Sequence, residues 1–287
     1  MADVRTLGVV GAGTMGSGIA HVAAQSGLRV VVVETDGSQR QRAKDYIREI
    51  DRRSIAKGRL TEEAAEETFG RLSFEEGLDA LAQADFCVEA IYEDLEAKKA
   101  IFRRLDEVVR PGVVLATNTS SMSITEIGRV TGRPERTCGL HFFNPAQVMK
   151  LVEVVRGYNT SDETMAEAQA FARELGKTPI AVQKDQPGFV VNRVLMPFLA
   201  EACKVVEEGV ASVEDVDTAV KLGLNHPMGP LTLADFTGLD VDLEVMDYLY
   251  NEFHDDRFAA PQVLRRLVRA GHVGKKSGRG FYHYAPK

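Results

Sequence analysis

Short apolar runs alternate with longer amphipathic stretches along the first two thirds of the chain. The runs have the length of strands and contain few polar residues, which is typical of parallel strands buried on both faces of a sheet. The stretches between them repeat their apolar positions with helical spacing. This order predicts an open, doubly wound α/β sheet of mostly parallel strands. The predicted strands span residues 6–10, 30–33, 84–89, 113–116, 151–155 and 178–182, and the clearest helices span 14–26, 38–53 and 95–109.

The last third of the chain has helical patterns and little strand signal. Pro187-Gly188 is expected to open a helix that Pro197 kinks, and Ser212 is expected to cap the next helix. The helix predicted over 240–253 is strongly apolar, which fits either core packing or a subunit interface. The pattern therefore predicts an α/β domain followed by an all-α domain. The two predicted domains span residues 1–185 and 186–287.

A glycine-rich hexapeptide, GAGTMG at residues 11–16, joins the first predicted strand to the first helix. Glycines often only make turns, but this motif follows a strand, opens a helix and precedes a strand that ends in an acidic residue. Gly11 then allows the turn, Gly13 lets a pyrophosphate approach the backbone, and Gly16 lets helix and strand pack closely. The helix N-terminus offers amides and a positive dipole to phosphates. These features predict a Rossmann-type dinucleotide-binding domain. The turn residues expected to contact the cofactor are Gly11, Gly13, Thr14, Met15 and Gly16.

The acidic residue at the end of the second strand, Glu34, is expected to accept hydrogen bonds from the adenosine ribose. Its charge would repel a 2′-phosphate, so the sequence favours NAD over NADP as the cofactor. Arg40 and Arg42 lie a little further along the chain, and they are the residues that could meet such a phosphate instead.

The composition narrows the class of protein. A formal net charge of −7 lacks the basic footprint of a general nucleic-acid-binding protein, and no apolar run approaches the roughly 20 residues that span a bilayer. The N-terminus passes at once into a strand pattern, so we expect no signal or transit peptide. The three cysteines, Cys87, Cys138 and Cys203, are far apart in apolar surroundings. They fit a reducing cytoplasm and indicate neither a disulfide framework nor a metal site.

A polar segment, TNTSS at residues 117–121, directly follows the strand at 113–116. It would lie at the carboxyl end of a parallel strand, where open α/β sheets bind ligands. Ser121 or Ser123 suffices to cap the following helix, which leaves Ser120 for another role.

A basic cluster lies near the end of the helix predicted over 38–53. Acidic residues are interleaved with it, so it is either a solvated helix face or the site of an anionic ligand group. Its members are Arg48, Arg52, Arg53, Lys57 and Arg59.

A single histidine, His141, interrupts the apolar run GLHFFNP at residues 139–145. Histidine suits proton transfer near neutral pH, but a histidine in such a run is more often a hydrogen-bonded core residue. Glu153 lies in the centre of the next strand, where a carboxylate among apolar neighbours is costly unless it is paired. Two arrangements are open. In one, Glu153 pairs with His141, fixes its tautomer and stabilises the imidazolium; in the other, Glu153 lies on an exposed edge beside a surface lysine.

Taken together, these segments resemble the short-chain 3-hydroxyacyl-CoA dehydrogenase family. The similarity begins with GAGTMG, includes NTSS at 118–121, and centres on GLHFFNP with MKLVEVV at 149–155. The family more often has aspartate where this chain has Glu34, a difference that keeps the charge. The similarity continues in order through the second half of the chain. The motifs there are Lys184-Asp185, PGFVVNR at 187–193, HPMGP at 226–230 and GKKSGRGFY at 274–282.

The resemblance implies a catalytic set of four residues. His141 would act as general base or acid at the substrate 3-hydroxyl, and Glu153 would orient and tune it. Ser120 and Asn192, the second from the helical domain, would bind the reacting oxygen. Asn144, beside the histidine, would help to hold the substrate.

The resemblance also implies ligand contacts outside the catalytic set. Arg53 and Lys57 match the family region that meets the nucleotide end of coenzyme A. Glu89, Lys98 and Asn118 match positions near the nicotinamide and its ribose.

The implied reaction is the NAD-dependent oxidation of a 3-hydroxyacyl-CoA, short-chain such as 3-hydroxybutyryl-CoA, to the 3-oxoacyl-CoA. The family further implies a role in fatty acid metabolism and a homodimer formed through the helical domain. Two alternatives remain open. One is a dehydrogenase of the same family for a free hydroxy acid, a ring alcohol or a dicarboxylic substrate such as 3-hydroxyadipyl-CoA. The other is a non-catalytic NAD-binding protein, which would not need the four-residue catalytic set.

Overall fold

A computed structural model describes residues 4–285, and the chain divides into two compact units, Met1–Gln186 and Pro187–Lys287. The first unit is an α/β structure. Its strands are β1 (Thr6–Val10), β2 (Arg29–Val33), β3 (Leu72–Glu75), β4 (Phe86–Glu89), β5 (Val114–Thr117), β6 (Thr137–Phe142), β7 (Leu151–Val155) and β8 (Thr178–Val182). Its helices are α1 (Thr14–Gln25), α2 (Gly37–Ala56), α3 (Glu62–Gly70), α4 (Leu95–Val108), α5 (Ile124–Gly128) and α6 (Asp162–Glu174).

The strands form one eight-stranded sheet in the order β3-β2-β1-β4-β5-β6-β7-β8. Neighbouring strands are parallel except β6 and β7, which are antiparallel. The chain order reverses between β1 and β4, and the crevice at such a reversal is where open α/β sheets bind ligands. The carboxyl ends of β1, β4, β5 and β6 therefore share one edge of the sheet. The predicted doubly wound, mostly parallel α/β class is confirmed.

Side chains alternate between two apolar layers on the two faces of the sheet. Val88 of β4 packs in the layer formed with α1 and α6, whose members include Ile19 and Phe171. Its neighbour Cys87 packs in the opposite layer, which contains Phe102 of α4. Burial on both faces accounts for the continuous apolar runs in the sequence.

Some of the observed elements differ from those that the sequence predicts. β3 and α3 were not predicted, because β3 is a four-residue edge strand with half-exposed side chains and no continuous apolar run. The helix expected to open at Pro187-Gly188 instead begins at Val191. The residues before it form turns, with φ of 75° at Gly188 and 47° at Phe189, which no right-handed helix accommodates.

The second unit is helical. Its helices are α7 (Val191–Glu207), α8 (Val213–Gly223), α9 (Pro230–Thr237), α10 (Leu239–Phe253) and α11 (Gln262–Arg269). Pro197 lies inside α7, and Ser212 caps α8 by accepting the amide hydrogen of Asp215 at 3.1 Å, as predicted. The apolar core gathers residues of α7, α10 and α11, including Leu199 and Leu249. No helix in the described part of the chain has both the length and the apolar character needed to cross a bilayer.

Asp217, a buried aspartate of α8, caps the N-terminus of the next helix, α9. Its carboxylate accepts the amide hydrogens of Leu231 and Thr232 at 2.8 and 2.9 Å, and these are first-turn amides of α9 that lack helical partners. A Cβ at Gly229 would lie 2.2 Å from Asp217 Cγ. Only glycine therefore fits there, which gives the HPMGP motif a structural reason.

A second buried aspartate, Asp235, anchors the C-terminal segment. It accepts the amide hydrogens of Phe281 and Tyr282, both at 2.9 Å. A Cβ at Gly280 would lie 1.9 Å from Asp235 Oδ1. The GKKSGRGFY motif is thus explained by the packing of the helical unit.

Candidate active site

In the glycine turn between β1 and α1, two glycines are closely packed and a third borders open space. Gly11 has φ of 100°, and a Cβ there would lie 2.6 Å from the carbonyl oxygen of Ala90. A Cβ at Gly16 would lie 2.0 Å from the Gly11 carbonyl oxygen. At Gly13, in contrast, nothing lies within 4 Å of an added Cβ. This open space borders the first-turn amides of α1, a combination that fits a pyrophosphate group.

Glu34 lies beside this turn. Its Oε2 accepts the amide hydrogen of Ala12 at 3.2 Å. The two nearby arginines are held by acceptors of the protein: Arg40 donates to backbone carbonyls at the end of β2, and Arg42 donates to Gln39 Oε1 at 2.7 Å. This arrangement fits the ribose hydroxyls of NAD and offers no guanidinium already poised for a 2′-phosphate.

A buried ion pair supports the carboxyl end of β4. Lys98 Nζ of α4 donates to Glu89 Oε1 at 2.8 Å, and their side chains are 1% and 0% exposed. Thr117 Oγ1 donates to the other oxygen of Glu89 at 2.7 Å. The resemblance placed Glu89 and Lys98 near the nicotinamide, but the structure places both side chains in the interior, bound to each other.

Glu93 is a charged group of this corner that a ligand can reach, since its side chain is 38% exposed. Its Oε1 accepts from Thr119 Oγ1 at 3.0 Å and from the Ser120 amide at 2.9 Å. Glu93 is not among the site residues predicted from the sequence. It stands in an acidic run just before α4, where acids commonly favour a helix N-terminus, so its sequence context carried no distinct signal.

The polar segment after β5 is fixed on both sides. Asn118 Oδ1 accepts the amide hydrogen of Phe142 at 2.8 Å and so ties the end of β5 to the end of β6. Of the two candidate caps, Ser123 is the one used: it accepts from the Glu126 amide at 3.2 Å. Ser123 Oγ in turn donates to Asp185 Oδ2 at 2.8 Å.

His141 and Glu153 are direct cross-strand partners in the antiparallel pair of β6 and β7. His141 Nδ1 lies 2.7 Å from Glu153 Oε2, and the two residues are 6% and 0% exposed. The ring of Phe143 packs against the imidazole with 4.5 Å between centroids. The alternative with Glu153 on an exposed edge is wrong, because β8 covers the outer side of β7.

The remaining predicted site residues lie at the end of β6, at the end of α2 and in the helical unit. Asn144 follows β6 and is exposed, and Asn192 lies in the first turn of α7. Arg53 and Lys57 are exposed at the end of α2, where Arg53 Nε donates to Glu49 Oε1 at 2.7 Å. The hydrogen bond from Arg53, with the charges of Arg52 and Arg53, lowers the pKa of Glu49. The structure records no ion pair for Lys57 among residues 4–285.

The cysteines play no visible part in the site. Cys87, Cys138 and Cys203 are buried and unbridged, and burial raises the pKa of each thiol to about 12. A thiol with so high a pKa is a poor nucleophile at neutral pH. Among the described residues, no three His, Cys, Asp or Glu side chains are grouped to hold a metal ion.

Two family models match the chain in succession. The model of the 3-hydroxyacyl-CoA dehydrogenase NAD-binding domain matches residues 6–186, and the model of the C-terminal domain of the same family matches residues 188–284. The chain belongs to the 3-hydroxyacyl-CoA dehydrogenase family. The resemblance inferred from the motifs is therefore confirmed, and the first unit is an NAD-binding domain of an oxidoreductase.

Similar proteins cover nearly the whole chain. A probable 3-hydroxybutyryl-CoA dehydrogenase of Deinococcus radiodurans is 49% identical, with 96% of this chain and 99% of the relative covered. An (S)-3-hydroxybutyryl-CoA dehydrogenase from Ralstonia eutropha is 45% identical, and its crystal structure matches this one with a TM-score of 0.94. The match covers 99% of this chain and 100% of that chain. A 3-hydroxyadipyl-CoA dehydrogenase of Escherichia coli is 44% identical over 99% of this chain but only 60% of its own length.

Proposed function

We propose that the protein oxidises short-chain 3-hydroxyacyl-CoA thioesters, such as 3-hydroxybutyryl-CoA, to 3-oxoacyl-CoA thioesters, reversibly and with NAD. The observation that carries this proposal is the buried 2.7 Å pair of His141 and Glu153, placed at the sheet edge that also carries the dinucleotide turn. The 3-hydroxybutyryl-CoA dehydrogenases among its relatives support the substrate class.

His141 moves the proton in this proposal. Its Nδ1 faces Glu153, so the ring takes the proton of the substrate 3-hydroxyl at Nε2 and returns it in the reverse reaction. The buried carboxylate stabilises the imidazolium and keeps the ring in one tautomer. Ser120 and Asn192 hold the reacting oxygen by hydrogen bonds, and Asn144 helps to orient the substrate.

The cofactor is held by the glycine turn and Glu34. The first-turn amides of α1, at Thr14, Met15 and Gly16, face its pyrophosphate, and Glu34 accepts hydrogen bonds from its ribose. Asn118 and the edge supported by Glu89 and Lys98 border the nicotinamide end. When bound, NAD accepts a hydride from the carbon that carries the substrate hydroxyl.

The nucleotide end of coenzyme A is assigned to Arg53 and Lys57. Both are exposed: Arg53 lies on the last turn of α2 and Lys57 directly follows the helix as its C-cap. They are four residues apart, a spacing that brings side chains to the same side of a helix. Glu49 already neutralises Arg53 in part, which leaves Lys57 as the stronger candidate for a phosphate.

The proposed cellular setting follows the same reasoning. Free buried thiols fit a reducing compartment, which supports a cytoplasmic enzyme. A role in fatty acid metabolism is proposed from the substrate class. The active form is proposed to be a homodimer joined through the helical unit, because exposed large apolar side chains are concentrated there. These residues are Val190, Val194, Val210, Leu222, Leu224, Phe236, Val241 and Tyr250.

The proposal is tested by steady-state kinetics over 3-oxoacyl-CoA thioesters of several lengths, a dicarboxylic thioester and free 3-oxo acids, each with NADH and NADPH. We expect the highest kcat/KM for acetoacetyl-CoA with NADH. Preference for a dicarboxylic thioester would favour the activity named for the Escherichia coli relative. Tight NADH binding without turnover of any substrate would overturn the enzymatic proposal.

A variant His141→Gln should lose about a hundredfold or more of kcat while NADH binding, followed by fluorescence, stays unchanged. Full activity in this variant would remove His141 from the mechanism. A variant Lys57→Glu should raise KM for CoA thioesters but not for N-acetylcysteamine thioesters, which lack the nucleotide. Lys221→Glu, an exposed site on α8, controls for the change in net charge.

A further inference from the structure

The serine proposed to bind the reacting oxygen is itself held by a carboxylate that has no assigned role. Glu93, in the segment between β4 and α4, contacts two consecutive residues through one oxygen. Its Oε1 accepts from Thr119 Oγ1 at 3.0 Å, from the Ser120 amide at 2.9 Å and from Ser120 Oγ at 3.4 Å. A single acidic side chain therefore restrains both the backbone and the hydroxyl of Ser120.

The other oxygen of Glu93 faces the buried ammonium of Lys98. The distance from Lys98 Nζ to Glu93 Oε2 is 3.3 Å, and Nζ lies 2.8 Å from Glu89 Oε1. Glu89 is held in turn by Thr117 Oγ1 and by the Ile91 amide, both at 2.7 Å. Charges of alternating sign thus run from the interior of the sheet to the surface segment that carries the serine.

The two hydrogen bonds to Ser120 differ in strength. The amide bond, at 2.9 Å to a carboxylate, is charge-assisted and of ordinary length, whereas the hydroxyl contact at 3.4 Å is near the limit of a hydrogen bond. A substrate oxygen can therefore replace the weak contact without loss of the strong one. The backbone then stays fixed while the hydroxyl turns to its ligand.

We infer that Glu93 is a positioning residue, which fixes Ser120 for the reacting oxygen and is itself held by the Glu89–Lys98 pair. This inference rests on the proposed role of Ser120 in the dehydrogenase reaction. It adds to the site a charged group that acts through the serine backbone.

A double-mutant cycle of Glu93→Gln and Ser120→Ala tests the inference. Glutamine keeps one acceptor but loses the charge that faces Lys98 and the amide. We expect Glu93→Gln alone to lower kcat about tenfold. In the Ser120→Ala background the same change should cost no more than about twofold, because residues that act through one another are non-additive. Effects that multiply in the double variant would overturn the inference.

Glu96→Gln is the matched control. Glu96 lies one turn further along, at the start of α4, and pairs with Lys99. Lys99 also pairs with Glu126 at 3.0 Å, so its charge still has a partner in the variant. This variant should keep wild-type kcat. If Glu96→Gln lost as much kcat as Glu93→Gln, the effect would come from the net charge of the region, and the inference would be overturned.

Hydrogen–deuterium exchange separates this inference from the proposed function, since it needs no turnover. The Ser120 amide should exchange faster in Glu93→Ala and Glu93→Gln than in the wild type, and Glu96→Gln should leave its rate unchanged. If the wild type turned over no thioester, the proposed function would fail while the exchange data still decided whether Glu93 holds Ser120. Unchanged exchange at Ser120 in both Glu93 variants would refute the inference.

Discussion

The carboxylate of Glu153 is enclosed between two strands, β6 on one side and β8 on the other. It is 0% exposed, so water does not compensate its charge, and its close partner is the ring of His141 at 2.7 Å. A buried charge left without a partner costs several kcal/mol. The pair therefore stabilises the fold, and the proposed proton transfer would use the same contact.

Replacing Glu153 with glutamine should lower kcat by about tenfold to a hundredfold and leave the affinity for NADH unchanged. Glutamine has the same shape and can still accept the Nδ1 hydrogen, but it does not stabilise the imidazolium. The measurement is steady-state kinetics with acetoacetyl-CoA, with thermal unfolding as the check of the fold. Glu163→Gln, at an exposed glutamate of α6, is the control. A kcat equal to that of the wild type would rule out the proposed stabilisation.

Asp242 of α10 is a buried acid that favours its protonated form. Burial raises its pKa to about 7; the Thr237 hydroxyl opposes the shift, and the charges of Asp240 and Asp235 add to it. Thr237 Oγ1 lies 2.9 Å from both carboxyl oxygens and 3.1 Å from the carbonyl of Ala234. A hydroxyl has one hydrogen, so a protonated Asp242 that donates to Thr237 satisfies these contacts together.

The raised pKa predicts a pH dependence of stability. The folded state binds more protons than the unfolded state between about pH 4 and about pH 7, so this contribution is fully present at low pH and is lost as the pH rises through 7. Asp242→Asn removes it. The free energy of unfolding of the wild type relative to this variant should fall by on the order of 4 kcal/mol across that range. Urea unfolding at several pH values measures it, and parallel profiles would contradict the prediction.

The turn between β1 and α1 contains glycines that serve two different purposes. Gly16 is required by the packing of the turn itself, since its added Cβ would lie 2.0 Å from a carbonyl oxygen. Gly13 meets nothing within 4 Å, so the folded protein alone gives no reason to exclude a side chain there. The proposed approach of the cofactor pyrophosphate to this backbone would supply such a reason.

Gly13→Ala should therefore weaken NADH binding by about tenfold or more and change the unfolding temperature little. Gly16→Ala should lower the unfolding temperature strongly, because the close contact forces the helix away from the strand. Fluorescence titration with NADH and thermal unfolding, applied to both variants, distinguish the two effects. Wild-type NADH affinity in Gly13→Ala would place the pyrophosphate elsewhere.

Three strands, β1, β7 and β8, have the predicted bounds, because each is a mainly apolar run between polar turns. β1 and β7 are covered by a strand on each side, whereas β8 lies at the edge of the sheet and only its Val182 is buried. β3 was missed because its four residues, LSFE, alternate apolar and polar side chains and form no apolar run. The start of α7 was misplaced because Pro187-Gly188 is a common helix opening, whereas the left-handed turn at Phe189 follows from tertiary packing.

The sequence predicted candidate residues for the site, but it did not predict the contacts between them. The sequence left the partner of Glu153 open, because one antiparallel pair in an otherwise parallel sheet decides whether it faces His141. A local pattern does not specify the strand register when nearly all residues of both strands are apolar. Glu93 was missed for a related reason: its link to Ser120 exists only because the ends of β4 and β5 are adjacent.

At the scale of the whole molecule, the exposed apolar side chains are unevenly distributed. In the first unit they are Tyr92, Val148, Met149 and Tyr158, which are few for its length. The shorter helical unit exposes more, among them Leu222 at 80% and Leu224 at 61%. Exposed apolar surface of this kind marks interaction sites, which supports the proposed homodimer.

Sedimentation equilibrium should therefore give a mass twice that of the 31.5 kDa chain. Replacing both Leu222 and Leu224 with lysine should weaken the dimer by about a hundredfold or more, since burying like charges in an apolar contact is costly and each leucine loses its burial. Val148→Lys, at a site 70% exposed in the first unit, is the control and should leave the dimer intact. A monomeric wild type would disprove the homodimer, and an unchanged dimer in the double variant would place the interface on other exposed residues of the helical unit.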